Sequence, residues 1–375
     1  MFRLFSILAL ILLVSFAVPA QKSWTKADEA ARLFTDAAGR DDLKTLREML
    51  DGGIDINAVP GSHAGWTALM SAATSGRANA VKFLLGRGAS VNVRLDKGQT
   101  PLIQAAQSDV DNEEVVRALI EAGVDLNAQT KDGITALMRF AWMSQTRAFE
   151  LTFRAGADTR LADKDGYTAF RFAVAYASDD IVRLLLPLEK DVDQRDAAGR
   201  TPLMWTAWED RAKTLPLLIA AGADVNARDN EGKTPLMYAG RQFFFDEVKV
   251  LLDAKADAGL RDKHGWTALM HTANSIYGRN QFGAHGKGYV IWLGAGRLID
   301  TLAAAGPSVV NAQNEDGDTA LILAVKAQNT HFAESLVKNG ADPGIKNSSG
   351  KRAVDYVGKK YYQRDVILNI LNARK

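Results

Sequence analysis

One short signature returns down this chain at a nearly constant interval. It reads Thr67-Ala68-Leu69-Met70, Thr100-Pro101-Leu102-Ile103, Thr135-Ala136-Leu137-Met138 and Thr168-Ala169-Phe170-Arg171. It continues as Thr201-Pro202-Leu203-Met204, Thr234-Pro235-Leu236-Met237, Thr267-Ala268-Leu269-Met270 and Thr319-Ala320-Leu321-Ile322. The intervals between the threonines are 33, 35, 33, 33, 33, 33 and 52 residues, and Arg352 stands where a further copy is due. A unit of that size cannot bury an apolar face by itself, so the copies must stack on one another.

Each copy explains itself locally. The threonine starts a helix, where its hydroxyl satisfies an open backbone donor. A proline just inside that start loses nothing, because its missing N–H would have been unpaired. Leu and then small residues, such as Leu69 with Ala72 and Ala73, let helices approach closely. A second helix carries apolar residues at i, i+3, i+4, as in Val81/Leu84/Leu85, Val182/Leu185/Leu186 and Val248/Leu251/Leu252. Gly88, Gly123, Gly156, Gly222 and Gly340 supply its left-handed stop. A turn follows around Gly98, Gly133, Gly166, Gly199, Gly232, Gly265, Gly317 or Gly350. Asp163, Asp196, Asp229 and Asp262 stand in these turns, where an aspartate bonds backbone N–H groups.

A period of 33 residues with Thr-Pro-Leu and a following alanine pair resembles the ankyrin repeat. The resemblance implies an all-α solenoid of about ten helix-turn-helix units with projecting β-turn fingers. The repeat domain is expected over residues 28–373, behind a signal peptide at 1–20 and a short N-terminal segment at 21–27. The first and last units read as degenerate caps, the last with Val366, Ile367 and Ile370 facing inward. Units are numbered below by their starting residue, from unit two at Thr67 to unit ten at Arg352.

The leader is read from Arg3, a run from Leu4 to Val18 broken only by Ser6 and Ser15, and small residues at Val18 and Ala20. That run is shorter than the ~20 residues a membrane span needs, so cleavage after Ala20 is expected, with no membrane attachment afterwards. The chain has no cysteine, which removes disulfides and thiol chemistry and leaves packing to hold an exported fold. Export without disulfides points to the periplasm, with secretion as the other destination. A net charge of +2 gives no bulk attraction to nucleic acid or anionic membranes.

Three places break the pattern. The 52-residue interval places an insertion near 276–292 in unit eight. It is either a tolerated surface loop or a partner-contacting one, since Tyr277, Phe282, Tyr289 and Trp292 are costly to leave in water. In unit five Pro187 should end the second helix early, and in unit six Pro216 lies inside the second helix and should bend or shorten it. In unit seven Phe243-Phe244-Phe245 occupies the turn between helices, and some of these rings should pack under the insertion.

No catalytic pattern stands out. His63, His264, His271, His285 and His331 contain no zinc-protease spacing, and no G-x-S-x-G elbow exists. Gly283-Ala284-His285-Gly286-Lys287-Gly288 lacks the glycine spacing and the Ser/Thr of a phosphate loop. The expectation is therefore a non-enzymatic scaffold without cofactor or metal, monomeric, binding a protein partner and no nucleic acid. A hydrolase or metal-dependent enzyme built on the Gly-rich insertion is one alternative. A secreted effector that binds host proteins is another.

Ankyrin proteins bind partners through the finger tips and the first helices of the concave face. Transferred to this chain, those positions are Trp66, Tyr167, Arg200, Lys233 and Trp266 before the helix start. After the small-residue pair they are Trp142, Met143, Tyr176, Trp208, Glu209, Arg241, Gln242 and Asn274. Large aromatics and arginine are what interface hot spots use. The partner-binding set is therefore Trp66, Trp142, Tyr167, Tyr176, Trp208, Glu209, Arg241, Gln242 and Trp266.

Overall fold

The computed structural model describes residues 26–61, 65–108, 112–176, 179–209, 211–274, 297–359 and 363–372. The leader at 1–20, most of segment 21–27, the 276–292 insertion, His63 and His285 lie outside them. So does the expected packing of the Phe243–Phe245 rings under the insertion.

Helices follow one another in antiparallel pairs. They are α1 Lys26–Gly39 with α2 Leu43–Asp51, α3 Ala68–Thr74 with α4 Ala78–Gly86, and α5 Pro101–Ala105 with α6 Glu113–Glu121. Next come α7 Ala136–Trp142 with α8 Thr146–Arg154, α9 Ala169–Tyr176 with α10 Asp179–Leu185, and α11 Pro202–Trp208 with α12 Leu215–Ala220. The series continues with α13 Pro235–Gln242 and α14 Phe245–Asp253, then α15 Ala268–Asn274 and a helical stretch at 297–303. It closes with α16 Pro307–Val310, α17 Ala320–Lys326, α18 Thr330–Lys338, a 3₁₀ turn at Ala353–Tyr356 and α19 Arg364–Asn372. Among the described residues there is no strand, only one isolated bridge between Ala162 and Thr168.

The threonines cap as expected. The hydroxyl of Thr67 accepts the Met70 N–H at 3.3 Å, and Thr135 and Thr319 do the same for Met138 and Ile322 at 3.2 and 3.3 Å. Thr201 departs from this, its hydroxyl buried without a partner. Most second helices stop on left-handed glycines, with Lys255 (φ +68°) in that place in unit seven, and after Gly88 (φ +90°) the Ala89 N–H reaches back to the Leu84 carbonyl at 3.0 Å.

First helices stack through small residues, Ala72, Ala73, Ala105, Ala141, Ala207 and Ala273 all being fully buried. Second helices bury one stripe, including Leu84, Leu119, Phe149, Leu185, Leu218 and Leu251. Each such side chain contributes roughly 1.5–3 kcal/mol by leaving water. Neighbouring units share this core, so none is stable alone.

The breaks in pattern resolve individually. Helix α10 ends at Leu185 and a 3₁₀ turn, Leu186–Leu188, carries Pro187. Pro216 lies inside its helix as expected, in the first turn of α12 where no N–H is needed, and the helix is shortened to 6 residues. Only Phe243 and Phe244 form the unit-seven turn, since Phe245 already begins α14. Phe243 takes the left-handed conformation (φ +62°), and its ring packs on Phe332 of α18, centroids 5.5 Å apart. Val366 faces outward, 49% exposed, while Ile367 is buried, because one position along a helix turns the side chain by about 100°.

The connectors between units, each running from the end of a second helix through the next finger, bond to one another. Asn57, Asn92, Asn127, Asn226 and Asn311 each accept a backbone N–H of the following connector at 2.7–2.8 Å. Finger tips add N–H to carbonyl bonds, such as Lys164 to Asp132 and Lys263 to Glu231, both 2.9 Å. Long side chains reach across too: Arg228 to the Arg261 carbonyl at 2.5 Å and Gln129 to the Ala162 carbonyl at 3.0 Å.

One pair of connectors is different. Between 156–167 and 189–200 the described residues form none of these bonds. The Asn position is Arg160, which folds back onto Asp158 at 2.9 Å, and the reaching position is Ala162, which has no arm. A cavity of about 190 Å³ opens there, lined among others by Tyr167, Arg171, Asp196 and Ala197.

Candidate protein-binding face

The fingers are built as the aspartates suggest. Oδ1 of Asp196 accepts the N–H groups of Ala198 and Arg200 at 2.9 and 2.8 Å. Asp163, Asp229 and Asp262 do the same two and four residues on. The second oxygen of three of them then reads a side chain nine residues ahead. Oδ2 of Asp196 accepts Trp205 Nε1 at 3.2 Å, Oδ2 of Asp229 accepts the Tyr238 hydroxyl at 2.5 Å, and Oδ2 of Asp262 lies 2.8 Å from His271 Nε2.

These partners stand four residues after the starting threonine, on the face of the first helix next to the fingers. The row is Phe172, Trp205, Tyr238 and His271 at constant spacing, with Arg139 one unit earlier. The sequence reading passed over this row and took the positions on either side. Its signal was nonetheless present, as an aromatic ring or imidazole recurring every 33 residues at one place in the repeat.

The structure joins Trp142, Tyr167 and Tyr176 into one group. The Trp142 ring stacks on Phe172 at 5.9 Å and lies 6.2 Å from Tyr176, and Tyr167 meets Phe172 edge-on at 6.3 Å. Arg171 continues the group, its guanidinium 4.6 Å from the Tyr167 ring and 4.3 Å from Trp205. Arg200 covers Trp205 at 4.1 Å. A second group joins Trp208 edge-on to Tyr238 at 5.5 Å, with Arg241 5.8 Å from the Trp208 ring.

The remaining positions sit apart. Trp266 lies against His271, ring centres 5.3 Å apart. Trp66 is half-buried at the second finger, its carbonyl accepting the Thr35 hydroxyl at 3.3 Å. Glu209 and Gln242 are half-buried at the ends of their helices, and Arg241 is exposed. Trp142 is 45% exposed and Met143 beside it 42%, two of the few large apolar side chains left open to water.

Electrostatics concentrate at Asp196. Its side chain is 1% exposed, and Oδ2 also accepts Arg171 at 2.8 Å and Arg200 Nε at 2.9 Å. Burial lowers the Arg171 guanidinium, opposed by its hydrogen bond with Tyr167 and the charge of Asp196. Burial opposes ionisation of Asp262, but His271 and two backbone N–H groups hold it below the usual carboxylate range. Burial, and then the bond to Asp229, push the Tyr238 phenol well up, so it remains a neutral donor. Among the described residues no helix is long and apolar enough to cross a membrane, and no three His, Cys, Asp or Glu side chains converge as a metal site would require.

Comparison with known proteins matches this architecture. A family described as ankyrin repeats (3 copies) matches residues 33–130, 137–229 and 212–281. Two others, both described as ankyrin repeats (many copies), match 302–357 and 111–151. Among relatives, the ankyrin repeat, SAM and basic leucine zipper domain-containing protein 1 of Mus musculus is 33% identical over 111 residues, 30% of this chain and 22% of its own length. The protein of the same name from Echinops telfairi is 30% identical over 115 residues, again 30% of this chain and 24% of its own length. The chain therefore spans about a quarter or less of these relatives, and what it shares with them is the repeat. Members of such families generally serve as non-enzymatic protein–protein interaction scaffolds, and it is to the ankyrin repeat family that this chain belongs.

Proposed function

We propose that the chain is an exported scaffold, resident in the periplasm as a monomer, that holds a protein partner non-covalently through the first helices and fingers of units four to eight. The observation that carries this reading is the exposed Trp142–Met143 pair at the end of a continuous row of rings and guanidinium groups. Export rests on the basic start, apolar run and small residues before Gln21.

Trp208 and Trp266 are half-buried against Tyr238 and His271, so their removal would also loosen the fold. The cleaner variant is Trp142→Ala with Arg241→Ala, both exposed. Cross-linking of the full chain in envelope extract, read by mass spectrometry, should recover a specific partner from wild type. The double variant should lose about tenfold or more of it while melting within a few degrees of wild type. Equal recovery would remove this face as the binding site. Fractionation and N-terminal sequencing should find the mature chain in the periplasm beginning at Gln21, whereas recovery from the medium would favour secretion.

A further inference from the structure

Two arginines of this face, Arg139 and Arg241, have no carboxylate paired to them among the described residues. Arg139 is the sharpest case. Its guanidinium lies 5.6 Å from the Trp142 ring, its Nε is buried with no hydrogen-bond partner, and no carboxylate of the described residues pairs with it. Gln104, one unit earlier on the same row, does not satisfy it, since its own amide oxygen and nitrogen are also buried and unpartnered. A buried guanidinium N–H without an acceptor is unfavourable by itself, and the group gains from a carboxylate brought to it.

Along units four to seven Arg171 and Arg200 share the single carboxylate of Asp196, and Arg241 lies over Trp208 with no acid of the described residues paired to it. The finger carboxylates nearby are engaged: Asp163 and Asp229 hold backbone N–H groups, and Asp229 also accepts the Tyr238 hydroxyl. The arginines are local to these units. The same helix positions in units two and three are Ser71, Thr74, Gln104 and Gln107, all neutral.

Building on the scaffold reading above, we infer that the partner segment seated on this face is an extended acidic stretch of polypeptide. One of its carboxylates pairs with Arg139 and another reaches Arg241, and an apolar side chain rests on Trp142 and Met143. Arg139 and Arg241 stand three units apart, roughly 30 Å at ~10 Å per helix layer. An extended chain covers that distance in about nine residues. Nucleic acid fits less well. The rings already face one another or arginine, and the finger cations Lys131, Lys164 and Lys233 alternate with Asp132, Asp165 and Glu231. Bases would find one open ring, Trp142, rather than a row of platforms, and phosphates no unbroken row of cations.

The test is fluorescence anisotropy with the full mature chain and three labelled probes. One is a nonapeptide of glutamates interrupted by phenylalanine and leucine, the second is its glutamine-for-glutamate counterpart, and the third is an oligothymidine. The acidic peptide should bind at least about tenfold more tightly than the glutamine peptide, and should weaken between roughly 0.15 and 0.5 M salt. Arg139→Gln should lose about tenfold in affinity for the acidic peptide, Arg139→Lys less, and both should melt within a few degrees of wild type, because among the described residues the guanidinium pairs with no carboxylate and gives up only its place by the Trp142 ring.

Equal binding of the two peptides, no effect of Arg139→Gln, tighter binding of the oligothymidine, or no binding of the acidic peptide would each overturn the inference. The two readings fail separately. A partner captured from envelope extract that needs Trp142 and Arg241 but ignores Arg139→Gln and added salt leaves the scaffold standing and removes the acidic segment. A partner indifferent to all three residues removes both.

Discussion

The connectors at 189–200 and 222–233 are stitched together, while those at 156–167 and 189–200 are not. In the first pair Asp193 accepts the Asp224 N–H at 2.9 Å, Asn230 donates to the Ala198 carbonyl at 2.9 Å, and Arg195 reaches the Arg228 carbonyl at 2.5 Å. In the second pair Arg160 and Ala162 occupy the two positions that elsewhere supply such bonds, and the fingers part around a cavity. The side-chain links that cross this junction run from Arg171 of α9 to the finger carboxylate Asp196, and from Thr214 to Asp179 of α10. The difference teaches that a repeat array can exchange a backbone ladder for a few side-chain links, the Arg171–Asp196 ion pair the most buried, and still keep its helices stacked. Nearest-neighbour terms decide whether an array unfolds as one body, so this junction is where cooperativity should be weakest.

Removing Asp196 should therefore have the largest effect. Asp196→Ala strands Arg171, whose side chain is 11% exposed, and leaves Arg200 and Trp205 Nε1 without their acceptor. Breaking a buried pair from one side costs about 3–5 kcal/mol. Urea unfolding should split into two transitions, one for each side of the junction. A single transition displaced to lower urea would mean that the ladder break does not weaken coupling.

Two glycines test the splay directly. Gly133 (φ +81°) and Gly166 (φ +80°) have the same left-handed backbone in successive fingers. A Cβ at Gly133 would sit 2.7 Å from the Asp163 Cα, while one at Gly166 would meet nothing within 4 Å. Gly166→Ala should cost only the left-handed strain, roughly 1–2 kcal/mol. Gly133→Ala should cost clearly more, because two backbones must move apart. Equal losses of stability in the two variants would show that the fingers are as close at the break as elsewhere.

The stacked pairs were legible because the features that define them are local. A capping threonine, an alanine pair and a stop glycine each act within one helix, and repetition averages out the exceptions. The site was legible only in part. Trp142, Tyr167 and Tyr176 were named from their place in the repeat, and they do share one group of rings. Arg139, Arg171 and Trp205 were not named, because their roles depend on what the next unit presents: a finger carboxylate for Arg171 and none for Arg139. The shortening at Pro216 was legible, but its form was not: the helix begins later than its equivalents, so the proline stands in the first turn.

The smallest expected effect lies at Asp193, in the connector shared by the stitched and unstitched pairs. Five other connectors place asparagine there, and the amide oxygen of each accepts the N–H of the next unit. Asp193 makes the same bond with one oxygen, but its other oxygen is buried without a partner. Burial raises the Asp193 carboxyl above the usual range, and Asp224 and Asp191 add to the effect. A raised carboxyl is harder to ionise in the folded chain than in the unfolded one. The penalty is thus full at neutral pH and disappears as pH falls through the raised value toward the unfolded value near ~3.9. Asp193→Asn should stabilise the chain at pH 7 by a few tenths of a kcal/mol once solvent screening is allowed for, and should give almost nothing near pH 4. Denaturant midpoints at the two pH values decide it. A gain that is equal at both would place the cause in packing rather than charge, and a loss at pH 7 would mean the ionised carboxylate is favoured in the folded chain.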